Sequence, residues 1–426
     1  MVQQRSRPRR ARPITYGAVA ALAFLAALPL NTGVMAVAAE VAVTGETILV
    51  DGAPFVPRGA SGRVKLAELK GLGANTVRSY GEEGDGVIAE AERLGLKVIL
   101  GFWIEHPRRG FDYGNRALVA AQLDRLRAFV LRHKDSPALL MWGIGNEVES
   151  ELTDDSAVWP AIEEAARLVK SLDPRHPTIA VLAETGEDKV RKVMTQAPHI
   201  DVLGINSYGE ALLTVAARAR AQGWRGPLVI TELGAAGQWQ VGKTPWGAAL
   251  EPTSSEKAAA LRRYLAVAKA SASGQILFLW GQKQEVTPTW HSLLLPSGEW
   301  TEPAEAMAES WGGATPGGNR APRIQSLRFV NGETWSRAEQ SVATIVAHDP
   351  DGDALALDWR ILRESTDLGK AGDAESVPPD YSSALRPGGD RSVTIAGLPA
   401  GNYRLFVVLR DRRGAAATGN LPFQVR

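Results

Sequence analysis

The chain has 426 residues, with 48 Lys and Arg against 47 Asp and Glu, a length that suits roughly two or three domains, one of which can be a barrel of ~250 residues. Its 45% hydrophobic and 22% charged residues are those of an ordinary globular protein, not of a disordered one. Cysteine is absent, which excludes disulfides, thiolate nucleophiles, Cys-ligated zinc or iron–sulfur centres and a lipid-modified N-terminal Cys.

Arg5, Arg7, Arg9, Arg10 and Arg12 precede the first acid, Glu40, so a net charge of +1 becomes −4 beyond the leader. An acidic body argues against nucleic acid as a partner. The arginines are followed by AVAALAFLAAL (18–28) and by Ala36-Val37-Ala38, the order of an export signal. Residues 1–39 are therefore expected to be a signal, or an uncleaved N-terminal anchor if the apolar stretch is taken as 14–37. Either way the body is expected outside the cytoplasm, periplasmic or extracellular, with inner-membrane anchoring as the variant.

From 47 to 311, short apolar runs alternate with helix-like stretches. The runs are FVPRGA (55–60), NTVRSY (75–80), KVILGFW (97–103), ALLMWGIG (138–145), TIAVLA (178–183), DVLGIN (201–206), PLVITEL (227–233) and QILFLWG (275–281). Each reads as a strand buried on both faces, as in a parallel sheet. Val119, Leu123, Leu126 and Val130 lie along one helix face, and Thr253 with Glu256 has the spacing of a capping box. Eight alternations predict a (β/α)8 TIM barrel over 40–311. FVPRGASG lacks the G-x-G-x-x-G of a dinucleotide fold.

GGATPGGNRAP (312–322) reads as a linker. Beyond it the period is two: Leu355, Leu357, Trp359 and Ile361 alternate with smaller or polar residues, as do Tyr403, Leu405, Val407 and Leu409. Residues 323–426 are expected to form an all-β, immunoglobulin-like or fibronectin-like sandwich. Asp349-Pro350-Asp351-Gly352-Asp353 resembles a calcium loop, but the twelfth position is Arg360 where an EF-hand needs Glu. It reads as a hairpin turn, and no metal is expected.

Chemistry on such a barrel sits at the C-terminal ends of the strands. Those ends deliver Arg78, Ser79 and Tyr80; Trp103, Glu105 and His106; Asn146 and Glu147; Glu184; Asn206 and Tyr208; Glu232; and Trp280 with Gln282. Glu147 and Glu232 each close an otherwise apolar strand. Two fixed carboxylates across a dry pocket, one protonated and one ionised, are what glycosidic-bond cleavage needs. Glu184, Glu105 and Glu149 are rivals for the second role, and Asn146 has a capping role as its alternative. Trp103, Tyr208, Trp239, Trp246, Trp280 and Trp290 offer flat surfaces for sugar rings. His106 reads equally as a substrate contact or a packed histidine. No HExxH or paired histidine spacing is present, so neither metal nor organic cofactor is implied.

MWGIGNEVE (141–149), PLVITELG (227–234) and FLWGQ (278–282) resemble the strand-four, strand-seven and strand-eight signatures of clan A retaining glycoside hydrolases. HKDSPALLMWGIGNE and the opening ILVDGAPFVPRG are most similar to the catalytic barrel of glycoside hydrolase family 2. ANTVRSYG (74–81) resembles the β-1,3-glucanase and glucanosyltransferase branches. The resemblance spans 48–311. It implies Glu147 as acid/base, Glu232 as nucleophile, Asn146 on the substrate 2-hydroxyl, Tyr208 and Arg78 beside Glu232, and Trp280 flooring the sugar subsite. Trp103, His106, Asn206 and Gln282 complete the expected substrate-binding set. The expected activity is retaining hydrolysis of an oligosaccharide or polysaccharide, a β-glucan first, outside the cytoplasm. A transglycosylase using the same residues and a non-catalytic carbohydrate-binding envelope protein are the alternatives, the latter associating through leader or sandwich.

Overall fold

The computed structural model describes residues 39–81 and 84–426. The expected export segment, except Ala39, lies outside the described residues. No described helix is long and apolar enough to cross a membrane.

The chain opens with an antiparallel sheet of β1 (Val41–Thr44), β2 (Thr47–Val50) and β3 (Ala53–Phe55). A closed parallel barrel follows, formed by β4 (Arg58–Gly62), β5 (Thr76–Arg78), β6 (Lys97–Phe102), β7 (Leu139–Ile144), β8 (Thr178–Ala183), β9 (Val202–Tyr208), β10 (Leu228–Gly234) and β11 (Gly274–Trp280). Between them run α1 (Leu66–Gly71), α2 (Gly84–Leu94), α3 (Arg116–His133), α4 (Val158–Leu172), α5 (Lys189–Gln196), α6 (Val215–Ala221) and α7 (Ser254–Ser271). The short β12 (Trp300–Thr301) and α8 (Glu302–Trp311) end this part.

Continuous apolar strands follow from burial on both sides. Leu100, Leu203 and Ile230 face the helices, whereas Ile99, Val202 and Val229 fill the barrel's lower interior. Val41 and Ile48 of the opening sheet pack into the same interior cluster. Val41 also donates its N–H to the Arg175 carbonyl, just before β8. The first three strands are thus a plug at the N-terminal end, which leaves the opposite end for a site. They are absent from the strand pattern of the sequence because their apolar positions are few and interrupted by turns. In α3, Val119, Leu126 and Val130 are buried and Asn115 caps the helix; Thr253 and Glu256 complete the capping box of α7.

The C-terminal part is a sandwich of β13 (Arg323–Phe329), β14 (Thr334–Trp335), β15 (Ser341–His348), β16 (Ala356–Arg363), β17 (Leu385–Pro387), β18 (Ser392–Ile395), β19 (Gly401–Arg410) and β20 (Ala415–Val425). One sheet runs β13-β15-β18-β17 and the other β12-β20-β19-β16, with β14 also on β20. Ile361, Tyr403 and Leu405 are buried between them, with Trp359 half-buried against the same core. Asp349 and Gly352 close a turn (Gly352 N–H to Asp349 carbonyl, 3.2 Å).

The segment 312–322 is ordered against both parts. A Cβ on Gly313 would sit 2.1 Å from the Leu72 carbonyl carbon, so only glycine fits that approach. Asn319 donates to Asp411 at 2.6 Å, and the Ala321 N–H donates to Glu305. Barrel and sandwich also share a sheet, since β12 pairs in parallel with β20. The buried Arg404 donates to the Ala249 carbonyl at 2.8 Å, and Asn420 to Glu251 at 2.6 Å.

Candidate active site

At the C-terminal end of the barrel lies a cavity of about 1130 Å³ whose lining includes both Glu147 and Glu232. A β-bulge explains how Glu232 gets there. In β10, Ile230 pairs with Ile205 and Glu232 with Asn206, so Thr231 is one residue more than β9 has. Simple alternation would send Glu232 outward on the same face as Ile230. The extra residue turns both Thr231 and Glu232 inward, as bulges do beside functional sites. Glu147 follows β7 through Gly145 (φ +71) and is itself at φ +51. That left-handed conformation costs an ordinary residue roughly 1–2 kcal/mol. It is held by the Glu147 N–H donating to Val181 at 2.9 Å.

The two carboxylates have contrasting surroundings. Glu232 receives Tyr208 OH at 2.6 Å, Tyr80 OH at 2.8 Å and Arg78 Nη1 at 3.3 Å. Arg78 is only 2% exposed, and it also donates to the Thr231 carbonyl at 2.7 Å and to Asn146 Oδ1 at 2.6 Å. Its guanidinium lies 4.3 Å from the Tyr80 ring centroid. Burial and the Glu232 charge hold Tyr80 and Tyr208 well above the usual phenol range, so both are neutral donors at neutral pH. Glu147 receives Asn206 Nδ2 at 2.7 Å. Burial first, and the Glu232 charge second, push the Glu147 carboxyl up to about 8, against the opposing Asn206 hydrogen bond. One acid is poised to carry a proton, and the other is surrounded by donors.

Among the expected site residues, Trp103, Asn146, Asn206, Tyr208 and Gln282 line the cavity, and Arg78 supports Glu232 from below. Two placements differ from expectation. Trp280 does not floor the cavity: β11 carries one residue more than β4 between Leu277 and Trp280. That shift leaves Phe278 and Leu279 on the lining, while the Trp280 indole, 1% exposed, donates to the Val64 carbonyl. His106 is not on the lining either. It is buried, stacked at 4.8 Å beneath Trp103, and burial with Arg108 and Arg109 brings it down to about 4, hence neutral. It packs against Trp103, whose ring lines the cavity. Trp290 is buried in a separate cluster, whereas Trp239 stands 59% exposed on the rim against Tyr208.

The rivals separate by their partners. Glu105 pairs with Arg125, and Glu149 is buried with Lys189 and the Ala183 N–H. Glu184 lines the cavity but is neutralised by Arg218 at 2.7 Å. Tyr80 was missed as a Glu232 partner although strand two delivers it directly after Arg78 and Ser79. Glu285, brought down to about 2 by His291 and Lys283 despite its burial, was missed because it lies in the long segment after β11. Among the described residues, Asp349, Asp353 and Asp411 are the carboxylates close enough to share a cation. All three already accept hydrogen bonds, from the Asp351 N–H, Arg413 and the Ala415 N–H respectively.

No family model matches the chain. Over 115 residues it is 30% identical to the probable mannan endo-1,4-β-mannosidase A of Aspergillus oryzae, covering 22% of this chain and 30% of that protein. Over 193 residues it is 30% identical to the β-glucuronidase of Homo sapiens, covering 39% of this chain and 27% of that one. The chain thus spans less than a third of the length of these curated relatives. The solved β-D-glucuronidase of Dictyoglomus thermophilum shares the fold at a TM-score of 0.51 and 18% identity, over 64% of this chain and 53% of that one.

Proposed function

We propose that this chain is a retaining β-glycoside hydrolase that cleaves an O-glycosyl bond in a β-linked glycan. The observation that carries the reading is the placing in one cavity of Glu147, whose carboxyl is pushed up by burial and by the Glu232 charge, and Glu232, which is met by Arg78 and two phenols. In the first step a Glu232 oxygen bonds to the anomeric carbon, the glycosidic C–O bond breaks, and Glu147 gives its proton to the leaving oxygen. In the second, water gives a proton to Glu147 and its oxygen displaces Glu232, restoring the original configuration. Arg78, Tyr80 and Tyr208 orient the Glu232 carboxylate, and the Asn206 amide orients Glu147.

The relatives named as a mannan endo-1,4-β-mannosidase and a β-glucuronidase support a β-glycosidic bond. ANTVRSYG supports a β-glucan among such substrates, and the Arg-rich leader supports action outside the cytoplasm. The test is turnover of aryl β-glucoside, β-mannoside and β-glucuronide together with β-1,3- and β-1,4-linked oligosaccharides. Glu232→Ala should abolish turnover of every substrate the unaltered chain cleaves, while sugar binding remains measurable. Full activity in that variant would overturn the reading.

A further inference from the structure

The cavity is not built by the barrel alone. Between β16 and β17 the sandwich sends out a loop whose turn, Gly369–Gly372, lines the same cavity as Glu147 and Glu232. This turn is held from two separate barrel loops. After β6, Arg108 donates to Asp373 at 2.6 Å, and Arg109 pairs with the same carboxylate. After β11, Lys283 Nζ donates to the Gly372 carbonyl at 2.8 Å, and the Val286 N–H donates to Glu375 at 2.6 Å. The turn itself is tightly wound, with Ala371 at φ +44 and Gly372 at φ +73. A non-glycine residue in that region carries backbone strain of the kind that gathers at ligand-contacting sites.

The order of strands says what the turn does. Its anchors follow β6 and β11, so it covers the side of β4 and β5, which lie between those strands in the ring. Glu184 and Arg218, from the segments after β8 and β9, line the opposite side. Glu147 and Glu232, from β7 and β10, lie between these walls. At about 1130 Å³ the cavity exceeds the roughly 300–1,000 Å³ of an ordinary small-molecule site. It has room for more than the unit at which the bond is cut.

We infer that the Gly369–Asp373 turn of the sandwich is a wall of the substrate site, contacting glycan units beyond the one being cleaved and making an oligosaccharide the preferred substrate over a simple glycoside. This rests on the glycosidase reading and assigns the sandwich a part in specificity. Asp373 is a positioning residue that acts through the turn. Lys370, an exposed side chain on the cavity lining, is the cation the turn offers to sugar hydroxyls.

The test uses the full chain, an aryl β-glycoside, and cello-, manno- and laminari-oligosaccharides from disaccharide to hexasaccharide. The unaltered chain should show kcat/KM rising with length. Asp373→Ala should flatten that rise by about tenfold on the longest substrate, the size of one or two hydrogen bonds to ligand. The loss should fall on KM, with kcat and aryl-glycoside turnover kept. Lys370→Ala, at an exposed position and keeping the backbone carbonyl that accepts from Arg108, should raise KM for the longest substrate in the same direction. A flat length dependence in the unaltered chain, its survival in both variants, or an equal loss on aryl glycoside and hexasaccharide would each overturn the inference while leaving the glycosidase reading standing. Absence of turnover on every substrate would bring down both.

Discussion

Asn206 donates through Nδ2 to Glu147 at 2.7 Å, while its Oδ1 accepts from Thr231 Oγ1 at 2.8 Å. One amide therefore ties the acid that follows β7 to the bulge that aims Glu232. Its hydrogen bond also opposes the burial and the like charge that raise Glu147.

The proton on Glu147 sets the pH dependence. In the proposed reaction the protonated form is the working acid, so kcat/KM should fall as pH rises through about 8. Asn206→Ala removes an interaction that lowers the carboxyl, so the fall should move to higher pH in the remaining activity. A carboxyl raised in the folded state adds stability only at low pH and loses it as pH climbs through about 8. Glu147→Gln should therefore gain Tm relative to the unaltered chain at pH above that value. Rate profiles and thermal melts across this range check both signs.

Under the proposed role, Glu147 should also set leaving-group sensitivity. General acid catalysis contributes ~10²–10⁴-fold. Glu147→Gln should lose about that factor on glycosides of alcohols, and far less on aryl glycosides whose phenolate leaves unaided. A uniform loss across leaving groups would count against Glu147 as the acid.

Tyr80 and Tyr208 each donate to Glu232. A hydrogen bond to a charged group contributes about 1.5–3 kcal/mol, so Tyr80→Phe and Tyr208→Phe should each reduce kcat by roughly ten- to a hundredfold. Arg78→Met should do more, because it leaves a buried carboxylate without its cation, at about 3–5 kcal/mol of stability. Steady-state kinetics and denaturant melts separate these effects.

Truncation after residue 320 should not release a stable barrel. It removes β20, which pairs with β12, and Arg404 and Asn420, which satisfy Ala249 and Glu251. The expected result is an insoluble product or a large fall in Tm. A soluble barrel with an unchanged melt would contradict the interface described.

The strands of the barrel were legible because burial on both faces leaves continuous apolar runs, each ending on its polar residue. Four things were not. The plug made by β1 to β3 has strands too short for a periodic signal. Bulges add a single residue without changing composition, so nothing in FLWGQ says that Phe278, and not Trp280, faces the cavity. His106 was undecidable for a related reason: its position after Trp103 is the same whether the ring meets a ligand or props the indole. The turn at Gly369–Asp373 was invisible because it is distant in sequence from the barrel residues that hold it.

Bond formation between Glu232 and the anomeric carbon is read most plainly by mass spectrometry of the protein after reaction with a 2-deoxy-2-fluoro glycosyl fluoride of matching configuration. One added sugar is expected, on the peptide containing Glu232, and unmodified substrate should release product that first appears as the β-anomer by proton NMR. A label on Glu147, or initial release of the α-anomer with no label at all, would contradict it.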